Sequence, residues 1–247
     1  MGVRMPKISV ALASYNGAQY ISQQMDSILE SIANVPDLQY EVVVSDDGST
    51  DETVDIVSGY ITKGYEISVI AGPQKGIIAN FENAMEHCTG DIVFLSDQDD
   101  VWLKPKVATV VEVFKKDPAL TCVIHNVEIV NGDLTDTGQT FYEIRNSKKG
   151  FINNLIKNRF MGSAMAIKRD TLKKVLPIPK NIPMHDQWIG MINEIYGKTA
   201  FIDDVLGLYR RHGSNASSYE DHGNIRYMLS TRYTLIKDLL SRSKESR

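Results

Sequence analysis

Three consecutive apolar runs in this chain each end in a polar or acidic cluster, and that repetition constrains the fold more than any other feature. Residues 8–13 end at Ser14-Tyr15-Asn16-Gly17, residues 41–45 at Asp46-Asp47-Gly48-Ser49-Thr50-Asp51, and residues 91–96 at Asp97-Gln98-Asp99-Asp100. Short apolar runs bounded by turn residues read as buried strands. Between them Ile21, Met25, Ile28, Leu29 and Ile32, and then Val54 and Val57, recur at helical spacing, with Ser49 or Thr50 able to cap the second helix. A further strand over 66–71 and helices over 76–87 and 105–116 complete the pattern. It predicts an α/β fold with a mainly parallel sheet and helices on both faces. Ligands of such sheets bind beyond the carboxyl ends of the strands, so the three clusters predict one shared crevice.

Beyond a strand over 121–130 and a polar loop or hairpin over 131–140 the pattern is less regular. We expect a helix over 151–158, a glycine-containing apolar strand over 160–168 and a short helix over 170–176. Pro177, Pro179 and Pro183 break the chain before Met184-His185-Asp186-Gln187-Trp188, which opens another helix.

Composition excludes several classes. At 247 residues, 43% hydrophobic and 23% charged, the chain can bury a sizeable core, and a net charge of −4 argues against a general nucleic-acid binder. Cys88 and Cys122 are isolated, so neither a disulfide framework nor a zinc cage is expected. Residues 1–7 run directly into the first strand, and no window approaches the ~20 apolar residues of a membrane span. The expectation is a cytoplasmic protein whose membrane contact, if any, is peripheral.

The run Asp97-Gln98-Asp99-Asp100 crowds three carboxylates at one strand end, which favours a cation partner. Hard cations such as Mg2+ or Mn2+ take oxygen ligands and share them with phosphates. A solvated acidic turn capping a helix is the alternative, and the apolar strand before the run and Trp102-Leu103-Lys104-Pro105 after it weigh against that. Asp46-Asp47 reads either as a helix-capping pair or as an acceptor for a pyrimidine N–H, with Tyr15 able to stack on a base and Ser14 nearby.

Ser14-Tyr15-Asn16, residues 45–51, Gly90-Asp91 and residues 97–100 together resemble the family 2 glycosyltransferases of the GT-A (Rossmann-like) fold. The resemblance extends more weakly through Gly162-Ser163-Ala164, His185-Asp186 and residues 209–213. It implies a nucleotide-diphosphate-sugar donor, Mn2+ or Mg2+, and inversion at the anomeric carbon. It places Ala13, Ser14, Tyr15, Asp46, Asp47 and Asp97 at the donor, Asp99, Asp100 and His212 at the metal, and Asp186 as catalytic base. The metal pattern has two registers, Asp97 with Asp99 or Asp99 with Asp100. Where many relatives carry Arg-Asn after the third strand, this chain has Phe81 and Glu82. Residues 76–82 and 96–102 look most like a bacterial rhamnosyltransferase-like subgroup, implying a UDP- or dTDP-linked sugar and a glycan or lipid-linked glycan acceptor in surface polysaccharide synthesis. By this comparison residues 1–224 form one GT-A domain, with a nucleotide-binding half to about 130 and a less regular acceptor-side half from about 131.

Asp186, at a helix start, can be a general base or only a helix cap. Trp188 can stack on an acceptor sugar or belong to the core, since Ile189 and Ile192 share its helical spacing. Arg210 and Arg211 can pair with phosphate, though adjacent arginines diverge. Residues 225–247 read as a C-terminal amphipathic helix, with Met228, Leu229, Ile236, Leu239 and Leu240 apolar and Arg226, Arg232, Lys237, Arg242, Lys244 and Arg247 basic. Such a stripe either packs on the domain or lies on an anionic membrane. A noncatalytic carbohydrate-binding protein and a sugar nucleotidyltransferase are the competing readings; the second needs a glycine-rich triphosphate loop that residues 8–17 lack.

Overall fold

The computed structural model describes residues 5–148, 150–213 and 225–245, with side chains of the last helix over 230–242. In chain order the first half comprises β1 (Ile8–Ser14), α1 (Ile21–Ala33), β2 (Tyr40–Asp46), α2 (Thr53–Thr62), β3 (Ile67–Ala71), α3 (Ile77–Glu86), β4 (Ile92–Asp97), β5 (Val101–Trp102) and α4 (Lys106–Lys116). The second comprises β6 (Cys122–Asn131), β7 (Asp136–Thr140), α5 (Phe141–Arg145), α6 (Phe151–Ile156), β8 (Met165–Lys168), α7 (Leu172–Val175), α8 (His185–Tyr196), β9 (Thr199–Arg211) and α9 (Ile225–Glu245).

One sheet runs through both halves in the order β3-β2-β1-β4-β8-β6-β9-β5, with β7 on β6. β1 to β4 pair with one another in parallel, as the βαβ spacing requires. β8 is antiparallel to both β4 and β6, whereas β9 is parallel to β6, so the second half of the sheet is mixed.

The two-residue period of β1 sorts the core. Ile8, Val10 and Leu12 face a layer holding Ile21, Met25 and Ile28 of α1, Val57 of α2 and Val107 and Val110 of α4. Ala11 and Ala13 face the opposite layer, with Phe81 and Met85 of α3 and Trp188, Ile189 and Ile192 of α8. Helices therefore cover both faces of the sheet.

Three expectations change. The strand expected over 160–168 is a 3-10 turn at Gly162–Ala164 followed by the four-residue β8; Phe160, Met161 and Ala164 are apolar because they are buried, not because they alternate. The helix expected over 170–176 shortens to α7 after a 3-10 turn at Arg169–Thr171. β9 was not expected: exposed Asp203 and Asp204 interrupt its apolar pattern where its register against β6 shifts.

Both readings of the C-terminal stripe have material in α9, because Leu235 and Leu239 are buried in the core while Ile236 and Leu240 are exposed. The side chains of Arg226, Met228, Leu229 and Lys244, and residue Arg247, lie outside the described residues. Among the described residues no helix is long and apolar enough to cross a membrane.

Candidate active site

The ends of β1 and β2 are tied together by Asp46. Its Oδ1 accepts from the amides of Gly48 (3.2 Å) and Ser49 (2.8 Å), and its Oδ2 accepts from the hydroxyls of Ser14 (2.8 Å) and Ser49 (2.6 Å). Four bonds fill a carboxylate's acceptor capacity, so Asp46 is a brace with no lone pair for a nucleotide, contrary to its expected donor contact. Ala13 and Ser14 are likewise buried and enter the crevice only as its wall. Asp47 turns to the β3–α3 loop, accepting from Gln74 N at 2.6 Å and Gly76 N at 2.9 Å, which leaves each oxygen one further acceptor position. Tyr15 is exposed, its ring available for stacking.

Gln98 joins the acidic turn to β1. It accepts from Tyr15 N and donates to Tyr15 O, both at 2.9 Å. Its amide occupies the space over Gly17, where a Cβ would come within 2.1 Å of Gln98 Oε1.

From the far end of the chain, β9 grips the same turn. Arg210 Nε donates to Asp99 O at 2.7 Å, Nη1 to Gly132 O at 2.7 Å and Nη2 to Gln23, while Arg210 N donates to Asp100 Oδ1 at 3.1 Å. The buried guanidinium is therefore spent on scaffolding, so of the two divergent arginines Arg210 is not the one turned to phosphate or solvent. Just beyond, His212 Nε2 lies 2.7 Å from Asp99 Oδ2, with its ring stacked on Tyr20 at 4.7 Å.

Beneath the turn lies a residue that the sequence reading missed. Lys106, at the start of α4, is fully buried; its Nζ donates to Ser163 O at 2.7 Å and sits 4.0 Å from the centroid of the Trp102 ring. Burial pushes its ammonium down to about 7 against the pull of Asp100 and Asp97. Burial and then Asp99 push Asp100 up to about 7. Asp97 is raised well above the usual carboxylate range by burial and by Asp100, Asp99 and Asp186. One lysine does not neutralise three carboxylates, and a divalent cation is the chemical complement of such a set.

The donor chemistry fits Mg2+ or Mn2+. Asp99 and His212 are brought together, and phosphate and water can complete such a shell. Among the described residues no group of three His, Cys, Asp or Glu side chains gathers at metal-binding spacing. Asp100, turned to the Arg210 amide, is not brought to the pair.

Across the crevice stands Asp186, in the first turn of α8 and buried. Its Oδ1 accepts from Gln187 N at 2.6 Å and from Asn158 Nδ2 at 2.9 Å. Burial raises its carboxyl to about 6 against those bonds and the charge of Arg145. Its neighbour His185 is stacked on Phe81 at 4.1 Å and held neutral by burial, so Phe81 has a packing role on the crevice wall. Glu82 accepts from Ile178 N at 3.2 Å. Trp188 is the core residue of its two readings: it is fully buried and its Nε1 donates to Val175 O at 2.8 Å, leaving no ring face for a sugar.

A Rossmann-like sheet whose strand ends carry an acidic turn, faced by a carboxylate from an irregular second half, defines a glycosyltransferase of the GT-A fold. The chain belongs to glycosyl transferase family 2, whose model matches residues 9–176. It is 28% identical over 217 residues to an uncharacterised glycosyltransferase of Nostoc, a match covering 85% of this chain and 66% of that protein. Its fold is similar to S. aureus TarS in complex with UDP-GlcNAc (TM-score 0.72, 20% identity, 93% of this chain and 66% of that one). It is also similar to a mannosyltransferase from Pyrobaculum calidifontis in complex with GDP-Man and Mn2+ (TM-score 0.64, 21% identity, 83% and 57%). The chain thus spans less than two thirds of the length of the relatives it matches.

Proposed function

We propose that this chain is an inverting, metal-dependent glycosyltransferase. It would move a hexosyl unit from a UDP- or dTDP-linked sugar to a hydroxyl of a glycan or lipid-linked glycan in bacterial surface polysaccharide synthesis. The observation that carries this reading is the position of Asp186, a buried carboxylate raised to about 6 and close enough to Asp97 to act on its charge. A base on one side of a crevice and an acidic, metal-suited turn on the other is the geometry that in-line displacement needs.

In this reading Asp186 takes the proton of the acceptor hydroxyl as the new bond to the anomeric carbon forms and the bond to the diphosphate oxygen breaks. Asn158 and the Gln187 amide hold the carboxylate in place. Tyr15 stacks on the base and Asp47 uses its remaining acceptor positions on the pyrimidine. Asp97 orients the donor sugar, and Asp99 and His212 hold Mn2+ or Mg2+. The bound cation would stabilise the negative charge that develops on the departing diphosphate. Lys106 has a positioning role, fixing Ser163 and so the Gly162–Ala164 turn below the acids. The UDP-GlcNAc and the Mn2+ of the structural neighbours support the donor class and the metal, and the subgroup resemblance of residues 96–102 supports a rhamnosyl-type donor.

The test is a panel of UDP- and dTDP-sugars incubated with the protein and Mn2+, reading nucleotide diphosphate release. Release with at least one donor, abolished by EDTA, is expected. Donor or sugar binding with no release from any member would make the chain a noncatalytic binder instead.

A further inference from the structure

The face formed by α6 and α9 carries large apolar side chains that the core does not use. Ile152 and Ile156 of α6 are 70% and 64% exposed, and Tyr233, Ile236 and Leu240 of α9 are 71%, 37% and 61% exposed. Positions 233, 236 and 240 are spaced by three and four residues, so they lie along one side of α9, while Leu235 and Leu239 anchor the other side in the core. The two helices abut, since Arg232 Nη2 donates to Ile156 O at 2.8 Å. Exposed Lys157 follows Ile156, and exposed Lys237 stands between Ile236 and Leu240. Two acids of this region are directed elsewhere: Glu194 accepts from Gly150 N at 2.8 Å, and half-buried Asp238 is off the 233–236–240 side.

We infer that the α6/α9 face docks on an anionic bilayer, with Ile152, Ile156, Tyr233, Ile236 and Leu240 against the acyl boundary and Lys157 and Lys237 at the headgroups. Charge selects this occupant. The chain as a whole is negative, at −4, so attraction to an anionic surface must come from a local basic patch. A second copy placed face to face would gather both copies' lysines into one interface, and that accumulated like charge opposes an isologous dimer. Apolar side chains interleaved with lysines on one exposed side are what an interfacial helix requires.

The face is coupled to the chemistry by two residues of chain. Asn158, which bonds Asp186, follows Ile156 and Lys157 directly. A bilayer held against α6 therefore brings an acceptor on a lipid carrier to the side of the crevice where the base stands. This inference rests on the glycosyl-transfer reading for the identity of the acceptor, but the docking face does not.

The experiment is co-sedimentation of the full chain with vesicles of equimolar phosphatidylglycerol and phosphatidylcholine, and with phosphatidylcholine alone, alongside donor hydrolysis in solution without vesicles. Wild type should sediment with the anionic vesicles and be released by high salt. Tyr233→Ser/Ile236→Ser/Leu240→Ser should bind at least roughly tenfold more weakly, and Lys157→Gln/Lys237→Gln should lose about fivefold per lysine. Both variants alter exposed positions and should keep wild-type donor hydrolysis. Equal sedimentation of wild type and the apolar variant, or no wild-type binding, overturns the inference. So does a wild-type dimer that the apolar variant dissolves without any vesicle binding. Vesicle binding as expected with no hydrolysis of any donor leaves the docking face standing and removes the enzymatic reading.

Discussion

In the proposed reaction Asp186 acts as a base only when ionised, and its raised carboxyl therefore sets a pH limit. Transfer should fall as pH drops through about 6, and the acidic limb of kcat/KM against pH reports it. Asp186→Asn should remove that limb and lower transfer by about 10²–10⁴-fold, with nucleotide affinity by calorimetry unchanged. Asn158→Ala removes a bond that favours the ionised form, so it should move the limb to higher pH. Lys106 gives a second test. Lys106→Met removes the Nζ that donates to Ser163 O and packs on the Trp102 ring, which should cost about 1–3 kcal/mol in urea unfolding at pH 8. Because burial holds the ammonium down at about 7 in the folded chain, charging it costs wild type stability as pH falls, so the difference should shrink at pH 5, and equal loss at both pH values would dismiss the titration of Lys106. The acids are legible in the sequence because motif and strand end coincide, and Asp186 because it opens a helix after a proline-rich break. Lys106 is not, since a lysine opening an amphipathic helix ordinarily reads as solvated, and only the packing of Trp102 and Ser163 around it reveals the burial.

Strands β1 and β2 are fastened at both ends, by Asp46 and Ser14 near the crevice and by Glu41 at the opposite edge. Burial would raise Glu41, but Lys7 Nζ at 2.7 Å, Ser9 Oγ at 2.5 Å and Thr89 N at 2.6 Å overcome it and hold the carboxyl at about 2 rather than 4.5. A depressed carboxyl contributes stability above its unfolded value and loses it as pH falls toward the folded one. Glu41→Gln should therefore lower stability by about 1–2 kcal/mol at pH 7, after allowance for solvent screening, with the difference vanishing between pH 4.5 and about 2. At the other end, Gly17→Ala should expel the flexible Gln98 amide and free Tyr15, raising donor KM while Tm stays within a few degrees. The parallel elements were legible because the apolar period and the turn chemistry agree along residues 8–97. β9 was not, because its partner β6 is about 80 residues earlier in sequence, and a register shift at Asp203 and Asp204 breaks the alternation a local reading depends on.

Across the whole molecule, the sheet passes without a gap from the parallel half through β4 and β8 into the mixed half, so the acidic turn and Asp186 belong to one packed body. The opposed acids and base make cation withdrawal the decisive global perturbation. EDTA should abolish nucleotide diphosphate release, and Mn2+ or Mg2+ should restore it. Asp99→Ala and His212→Ala should each raise the Mn2+ concentration needed for half-maximal release by at least roughly tenfold. The membership in family 2 was legible from the first half alone, but the working surface was not. Asp99 meets His212 across 113 positions of chain, and Arg210 closes the same turn from β9. A nascent polypeptide leaving the ribosome therefore carries its acidic motif early and brings Asp99 to His212 only after β9 has emerged. Translation products that stop before that strand would expose the acids without their imidazole.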